Sequence, residues 1–269
     1  MARPSPAYTL TSMAWPELRE DVTATAGRVA DILRGVPDGD APLPGTDWTV
    51  AEVGAHLVTV ARRYPRMMDK PEPFPESLSA QNQLELDELG ERDPSRLAGM
   101  LEDEVAAVLE AFGPDGERRV HFFGMAHSAA GVGGILLGEL LLHGRDLALA
   151  AGRPWEITRD EAVTFSRGIL PSAVEAALDR EVAPKATGTY HLHLRGGDDW
   201  TIRVAGGEAT IEQARPDRAD LHVSADPVAF VLASYGRISQ ARLILSGGVV
   251  AWGRKPWLAA RFANLFAET

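Results

Sequence analysis

The sequence contains no cysteine. Disulfide bonds, thiolate metal sites and a cysteine nucleophile supplied by the chain are therefore excluded. Positive charge is also scarce, because 27 lysines and arginines stand against 38 aspartates and glutamates, which gives a net charge of −11. A surplus of negative charge disfavours binding to nucleic acid or to an anionic membrane. We therefore expect neither as a partner.

Long uninterrupted apolar runs are absent too. Residues 1–20 contain no continuous apolar core, so we expect no signal peptide. The most apolar stretch, residues 129–151, carries Glu139, His143 and Asp146 near or beyond its middle. A membrane-spanning helix would be strongly destabilised by such groups. We therefore predict that this stretch is a buried helix of a cytoplasmic protein.

Hydrophobic periodicity divides the chain into two parts. Apolar residues at spacings of three and four predict four long helices, over residues 16–34, 50–64, 94–112 and 128–151. A short helix over residues 79–89 is predicted within the long connection between the second and third of them. We expect Thr46 or Asp47 to cap the second long helix. From Tyr190 onward apolar and polar residues alternate between glycine turns, which predicts an antiparallel meander. The chain is therefore predicted to be α+β, with a four-helix bundle in residues 1–155 and a linker helix and smaller antiparallel-sheet domain in residues 156–269.

Three polar side chains interrupt the apolar helical stretches. Glu139 and His143 are four residues apart and project from one face of the fourth long helix, whereas His56 lies in the second. Buried polar groups need partners, and these groups could simply pair with one another. Alternatively they bind a divalent metal, since two histidines and one glutamate with an open fourth position form a catalytic zinc arrangement. Iron, nickel and manganese accept the same ligands.

Asp146 shares the face of Glu139 and His143. It could orient a metal-binding histidine by accepting a hydrogen bond from it, or it could be an ordinary charge near the helix end. His191 and His193 share one face of the first strand of the meander, opposite its apolar face. We expect both to be solvated, because the apolar residues of the strand take the other face. We expect no metal there, because no third ligand is adjacent in the sequence.

Two segments carry a family resemblance. Trp48-Thr49-Val50-Ala51-Glu52-Val53-Gly54-Ala55-His56-Leu57 resembles the signature of DinB-like helical bundles. Gly138-Glu139 through His143-Gly144-Arg145-Asp146 resembles the Glu-x-x-x-His-x-x-Asp signature of the mycothiol-dependent maleylpyruvate isomerase family. The C-terminal part, with Ala219-Asp220-Leu221 and Trp252-Gly253-Arg254, is similar to the sterol-carrier-like second domain of that family.

The resemblance implies a divalent metal, usually zinc, held by His56, Glu139, His143 and water. It also implies mycothiol as the co-substrate, whose thiol attacks a small electrophilic substrate. Later loss of the thiol makes the enzyme an isomerase, and retention makes it an S-transferase. The family further implies an arginine that contacts an anionic substrate. Arg254 is the nearest match and Arg237 a second candidate; the alternative for Arg254 is an ordinary surface arginine.

Two other functional classes stay open. The chain could be a non-catalytic carrier that holds an apolar ligand in its C-terminal domain. It could also be a metal-dependent hydrolase that uses water in the open coordination position. The three ligand positions favour the thiol-dependent enzyme, with a small-molecule thiol and a small electrophile as partners and with the chain as monomer or homodimer.

Overall fold

The structure is a computed structural model that describes residues 15–68, 75–176, 178–179 and 181–265. These ranges leave out residues 69–74 of the predicted long connection. They also leave out most of residues 1–20, the segment in which we expect no signal peptide. The chain divides into two compact units between Glu156 and Ile157. No helix in the described ranges is long and apolar enough to cross a membrane.

The first unit is built from four long helices and one shorter helix. Their bounds are α1 (Trp15–Gly35), α2 (Val50–Met68), α3 (Leu78–Leu89), α4 (Pro94–Phe112) and α5 (Ala129–Ala150). Helix α1 packs against α4 and α5, and α2 packs against α3, α4 and α5. The apolar residues that predicted these helices lie in their shared core, and Val22, Val29 and Leu33 of α1 are completely buried. The predicted helical bundle is confirmed.

Helix α2 differs from its prediction at both ends. Its N-terminus is capped by Thr49 and not by Thr46 or Asp47. The Thr49 side chain accepts a hydrogen bond from the Glu52 amide, and the Glu52 carboxylate accepts one from the Thr49 amide, which is a reciprocal capping box. At the other end the helix continues past Pro65 to Met68. Burial of the Met67 side chain stabilises this last helical turn.

A short hairpin between α4 and α5 was not predicted. Its strands are β1 (Arg119–Phe122) and β2 (Met125–Ser128), which pair in antiparallel register. The turn consists of Phe123 and Gly124, with φ of 47° and 76°. Two consecutive residues with positive φ match the turns that suit the twist of a two-residue hairpin. Strands of four residues are too short for a clear alternation signal.

The second unit begins with α6 (Arg159–Ala176) and contains a five-stranded sheet. The strands are β3 (Gly188–Leu194), β4 (Asp199–Ala205), β5 (Glu208–Glu212), β6 (Leu221–Ala225) and β7 (Val249–Trp252). Short helices complete the unit: α7 (Pro227–Ser234), α8 (Gln240–Leu245), α9 (Leu258–Ala263) and a 3-10 turn at Ala183–Lys185. Tyr190, Leu192 and Trp200 lie buried on the core face of the sheet. The α+β class is confirmed.

The sheet is not a simple meander. Strands β3, β4 and β5 pair in antiparallel register as predicted, but β6 lies beside β3 and runs parallel to it. The segment after β5 crosses the sheet, where the carbonyl of Ala214 accepts a hydrogen bond from the Thr201 hydroxyl. It returns to the start of β3, where the Asp220 amide donates to the Thr189 carbonyl. This return gives β6 the direction of β3, and β7, which was not predicted, then pairs antiparallel to β6.

Candidate metal centre

His56 is placed by the capping box that starts α2. Its side chain faces into the bundle and is almost fully buried, with 5% of the residue surface exposed. The loop before the helix is fixed by backbone hydrogen bonds from Leu43 to the Trp48 carbonyl and from Val50 to the Ala41 carbonyl. The start of α2 is therefore held in place, and His56 is held with it.

Glu139 and His143 lie one helical turn apart on α5, at the point where α5 packs against α2. Oε2 of Glu139 is 3.5 Å from Nε2 of His143 and 3.8 Å from Nε2 of His56. The potential ligand atoms of the three residues all lie within 4.8 Å of one another. The structure thus brings together the three residues that the sequence singled out, although His56 and His143 are more than 80 positions apart in the sequence.

The site is open on the side of the carboxylate. The Glu139 side chain keeps 32% of its surface exposed, whereas those of His56 and His143 keep 6% and 17%. The buried His56, the partly buried His143 and the partly exposed Glu139 therefore form a pit, and Glu139 is its most accessible side chain.

The protonation states suit a cation. Burial lowers the pKa of His56, with a smaller opposing effect of Glu139, so the imidazole is neutral at pH 7. Burial by itself would raise the pKa of Glu139, but interactions with His143 and His56 outweigh it and hold that pKa well below its usual range. The centre therefore offers an ionised carboxylate beside a neutral imidazole, and both forms are those that bind metals.

The distances also fit a metal. Ligands about 2.1 Å from a tetrahedral zinc ion are separated from one another by roughly 3.4 Å. The two distances from the Glu139 carboxylate oxygen are 3.5 and 3.8 Å. These contacts are longer than usual hydrogen bonds, so direct pairing satisfies the three groups only weakly. Two histidines and one carboxylate also form a ligand set typical of zinc, iron or manganese.

The Nδ1 atoms of His56 and His143 are both buried, and neither has a hydrogen-bond partner within the described residues. Metal-binding histidines usually donate a hydrogen bond from the nitrogen that does not bind the metal. Oδ2 of Asp146, one turn further along α5, lies 3.8 Å from Nδ1 of His143. A shift of under one ångström would bring the pair into hydrogen-bond range, so Asp146 lies where a residue that orients His143 would have to be.

Trp48 forms an aromatic wall of the centre that the sequence reasoning did not assign. Its ring lies 4.9 Å from that of His56 and is nearly parallel to that of His143, with centroids 6.4 Å apart. Trp48 was quoted as part of a family signature without a role. Its position directly before the capping residue of α2 is the signal that could have placed it near His56.

The arginine candidates lie in the second unit. Arg254 is exposed and lines an open pocket of about 340 Å³ together with Arg218, His222 and Trp252. The guanidinium of Arg237 donates a hydrogen bond to the carbonyl of Tyr235. Of these two candidates, only Arg254 lines this pocket.

The expectation that His191 and His193 are both solvated is wrong for His191. Only 4% of His191 is exposed, because the segment that crosses the sheet after β5 covers this face. Its Nε2 lies 2.7 Å from a carboxylate oxygen of Asp199, and Nδ1 of the partly exposed His193 lies 2.9 Å from the same oxygen. His191 is thus a buried and paired residue.

Comparisons with known proteins agree with this architecture. The fold is similar to the crystal structure of mycothiol-dependent maleylpyruvate isomerase, with 18% sequence identity and a TM-score of 0.51, over 89% of this chain and 93% of that one. A histidine-to-alanine mutant of the isomerase matches over the same shares with 17% identity and a TM-score of 0.51. No curated protein matches the sequence significantly.

The match to a protein family lies in the first unit. Residues 16–148 match the model of the mycothiol maleylpyruvate isomerase N-terminal domain. These residues span the bundle helices and include all three residues of the candidate metal centre. The assignment of residues 156–269 to a sterol-carrier-like domain stays a prediction. The helical bundle therefore belongs to the family of mycothiol maleylpyruvate isomerase N-terminal domains.

Proposed function

We propose that the chain is a metal-dependent enzyme that uses mycothiol as co-substrate and acts on a small electrophilic substrate, as an isomerase or an S-transferase. The observation that carries the proposal is the cluster of His56, Glu139 and His143, whose ligand atoms lie within 4.8 Å of one another. Among the residues that the structure describes, three protein ligands lie in the cluster. A catalytic zinc site likewise has three protein ligands and keeps its fourth position open for water or substrate.

A thiol co-substrate fits this chemistry. The chain contains no cysteine, so any thiol must come from a second molecule. When bound, a divalent cation supplies positive charge that lowers the pKa of a thiol, and the deprotonated thiol is the nucleophile. The family of the bundle points to mycothiol as that thiol, and zinc is the metal that we favour.

The residues of the chain have separable tasks in this proposal. His56 and His143 offer neutral imidazole nitrogens, and Glu139 contributes the negative charge. Asp146, whose Oδ2 lies 3.8 Å from Nδ1 of His143, would accept a hydrogen bond from that nitrogen after a small shift and so fix the orientation of the ring. Trp48 covers the two imidazoles and keeps bulk water away from that side of the centre.

Arg254 is the residue that we propose for an anionic substrate. Its guanidinium can form two parallel hydrogen bonds with a carboxylate. The Arg254→Ala variant should therefore weaken an anionic electrophile more than it weakens the thiol. Arg203→Ala is the matched control, because Arg203 is an exposed arginine of the same unit that pairs with Glu212.

Calorimetry and turnover on the metal-loaded protein test the proposal. Mycothiol should bind more tightly than glutathione, and maleylpyruvate should be turned over only when thiol is present. Recovery of the isomerised substrate identifies an isomerase, and recovery of a stable thioether identifies an S-transferase. Cleavage of ester or amide substrates without thiol would replace the proposal with a hydrolase. Binding of an apolar ligand in the absence of any thiol binding would replace it with a carrier.

A further inference from the structure

Most of the large apolar side chains that are exposed in the described residues lie close together in the sequence of the second unit. Of seven such side chains, five fall between positions 244 and 257. Between 50% and 87% of each of these residues is exposed: Ile244, Leu245, Val250, Trp252 and Trp257. A group of exposed apolar side chains of this kind marks a contact with another molecule. None of the five belongs to the metal centre.

These side chains follow one edge of the five-stranded sheet. Strand β7 is the last strand in the order of the sheet, and within the described residues it pairs only with β6. Helix α8, which ends at Leu245, precedes β7 and contacts it, whereas Trp257 follows β7 by five residues. Val250 and Trp252 are two residues apart on β7 and therefore point to the same face of the sheet. We call residues 244–257 the β7 edge.

The two edges of the sheet differ in their protection against pairing. The opposite edge strand, β5, begins with Glu208 and ends with Glu212, and Glu212 forms an ion pair with Arg203. Charged residues on an edge strand hinder its pairing with another chain. Strand β7 reads Val-Val-Ala-Trp and contains no charged residue. The fold thus protects one edge by charge and leaves the other able to accept a further strand.

The exposed apolar side chains are placed symmetrically about Ala251. Val250 and Trp252 come one residue before it and one residue after it, and Leu245 and Trp257 come six residues before it and six after it. Ala251 itself is small and exposed. A contact between two identical copies needs such a self-complementary surface, because each copy presents the same patch to the other. A lipid surface or an unrelated peptide has no need of it.

A two-fold axis through Ala251, perpendicular to the sheet, would pair the β7 strands of two copies in antiparallel register. Val250 of each copy would then lie directly opposite Trp252 of the other, on the same face of the joined sheet. An aromatic residue opposite a β-branched residue is a favourable cross-strand pair. Leu245 of each copy would approach Trp257 of the other. Because β7 contains no charged residue, this pairing buries no charge within the strand.

The charges next to the strand are compatible with this pairing. Arg254 is three residues from Ala251, so the two copies of Arg254 would be about 20 Å apart, well beyond the screening length of about 8 Å. Each Arg254 would instead lie level with Gly248 of the second copy, whose carbonyl accepts a hydrogen bond from Arg195. These two guanidiniums repel each other, and each copy carries a net charge of −11. Added salt should therefore strengthen the association by screening both repulsions.

We propose that two copies of the chain associate through the β7 edge and join their two five-stranded sheets into one continuous sheet. The contact consists of four strand residues and a few apolar side chains on each copy, so the interface is small and the dimer forms reversibly. The dimer depends on neither the metal centre nor a thiol.

Sedimentation velocity of the full chain tests the association. Between roughly 1 and 100 μM, where small interfaces form, the mass should rise from one chain towards two, and added salt should favour the dimer. Val250→Lys places a charge opposite Trp252 and should weaken association by roughly tenfold or more. Thr210→Lys is the matched control, because it adds the same charge at an exposed position of the opposite edge strand β5. This control should leave the association unchanged.

Cysteine cross-linking tests the register, and the absence of native cysteine makes it specific. Residues directly opposite each other in an antiparallel pair have Cα atoms about 4.5–5.5 Å apart, which a disulfide can span. Ala251→Cys should therefore form a covalent dimer when diamide is added. In Val250→Cys the two cysteines would lie diagonally, about 7–8 Å apart, and Thr210→Cys reports random collision. Both should cross-link roughly tenfold more slowly.

Several results would overturn the proposal. One is a chain that stays monomeric over the whole concentration range, and another is equal weakening by Thr210→Lys. Cross-linking of Ala251→Cys no faster than that of Thr210→Cys would refute the register. A monomer that sediments with phosphatidylserine vesicles, less so in high salt, would assign the β7 edge to anionic lipid instead. Circular dichroism shows whether each variant is folded, and a folded Val250→Lys variant that still dimerises normally would place the interface elsewhere.

Discussion

Replacing His143 with glutamine should abolish metal binding while leaving the bundle folded. Glutamine is close to histidine in size and remains polar, so the helix α5 keeps its packing. The matched control is His121→Gln in β1 of the same unit. The Nδ1 atom of His121 is also buried without a partner among the described residues, but His121 is not part of the ligand cluster.

The expected size of the effect follows from mass action. A ligand that binds only the folded state at a hundredfold excess over its Kd stabilises that state by about 2.7 kcal/mol. For a unit of this size that gain raises Tm by roughly 5–10 °C. The unaltered protein and His121→Gln should both show a rise of this order when zinc is added, and His143→Gln should show almost none.

Elemental analysis of protein purified without chelator and thermal unfolding with and without added zinc provide the measurements. The unaltered protein should carry close to one divalent ion per chain. Undiminished metal in folded His143→Gln protein would refute the assignment of the three ligands. Equal loss in His121→Gln would show that the effect is indirect, since His121 lies outside the cluster.

Three further predictions follow from individual contacts. Gly144→Ala should destabilise the bundle by about 1–3 kcal/mol in denaturant unfolding, because the new Cβ would clash with the Trp155 ring. Gly99→Ala is the control: its Cβ would meet nothing within 4 Å, and it should stabilise the bundle by up to about 1 kcal/mol. Burial lowers the pKa of His127 to about 4, so the unfolded chain binds more protons between pH 6.5 and 4 and stability falls as pH falls through that window. The free energy of unfolding should fall by at most roughly 3 kcal/mol across this window. His127→Gln should remove this part of the pH dependence of unfolding. Asp146→Asn should weaken zinc binding by roughly 10–100-fold in competition titrations, and unchanged affinity would leave Asp146 as an ordinary helix-end charge.

The bundle and its three polar residues were predictable because their signals are local. Each long helix repeats apolar residues at spacings of three and four, and the spacing of Glu139 and His143 fixes their common face whatever the rest of the fold does. His56 needed one further assumption, namely that two apolar helices pack against each other. The packing of α2 on α5 satisfies it.

The parts that escaped prediction depend on competition between local and tertiary effects. Pro65 is a local signal for a helix end, but burial of Met67 keeps α2 helical beyond it. Thr46 is a plausible cap by residue type, yet its hydroxyl accepts from the Trp48 amide, and the reciprocal bonds with Glu52 favour Thr49. Tertiary burial decides in the first case, whereas the local bonds with Glu52 decide in the second.

The contacts that join Asp199, His191 and His222 could not be predicted from the sequence because strand pairing creates them. Alternation correctly placed His191 opposite the apolar face of β3, but it carries no information about which segment covers that face. The parallel register then decides which residue of β6 meets His191. A slip of β6 by one residue would place Leu221 or Val223 beside His191 and turn His222 toward the core. Both are buried core residues, so the hydrophobic face of β6 fixes the register, and the contact between the two histidines follows from it.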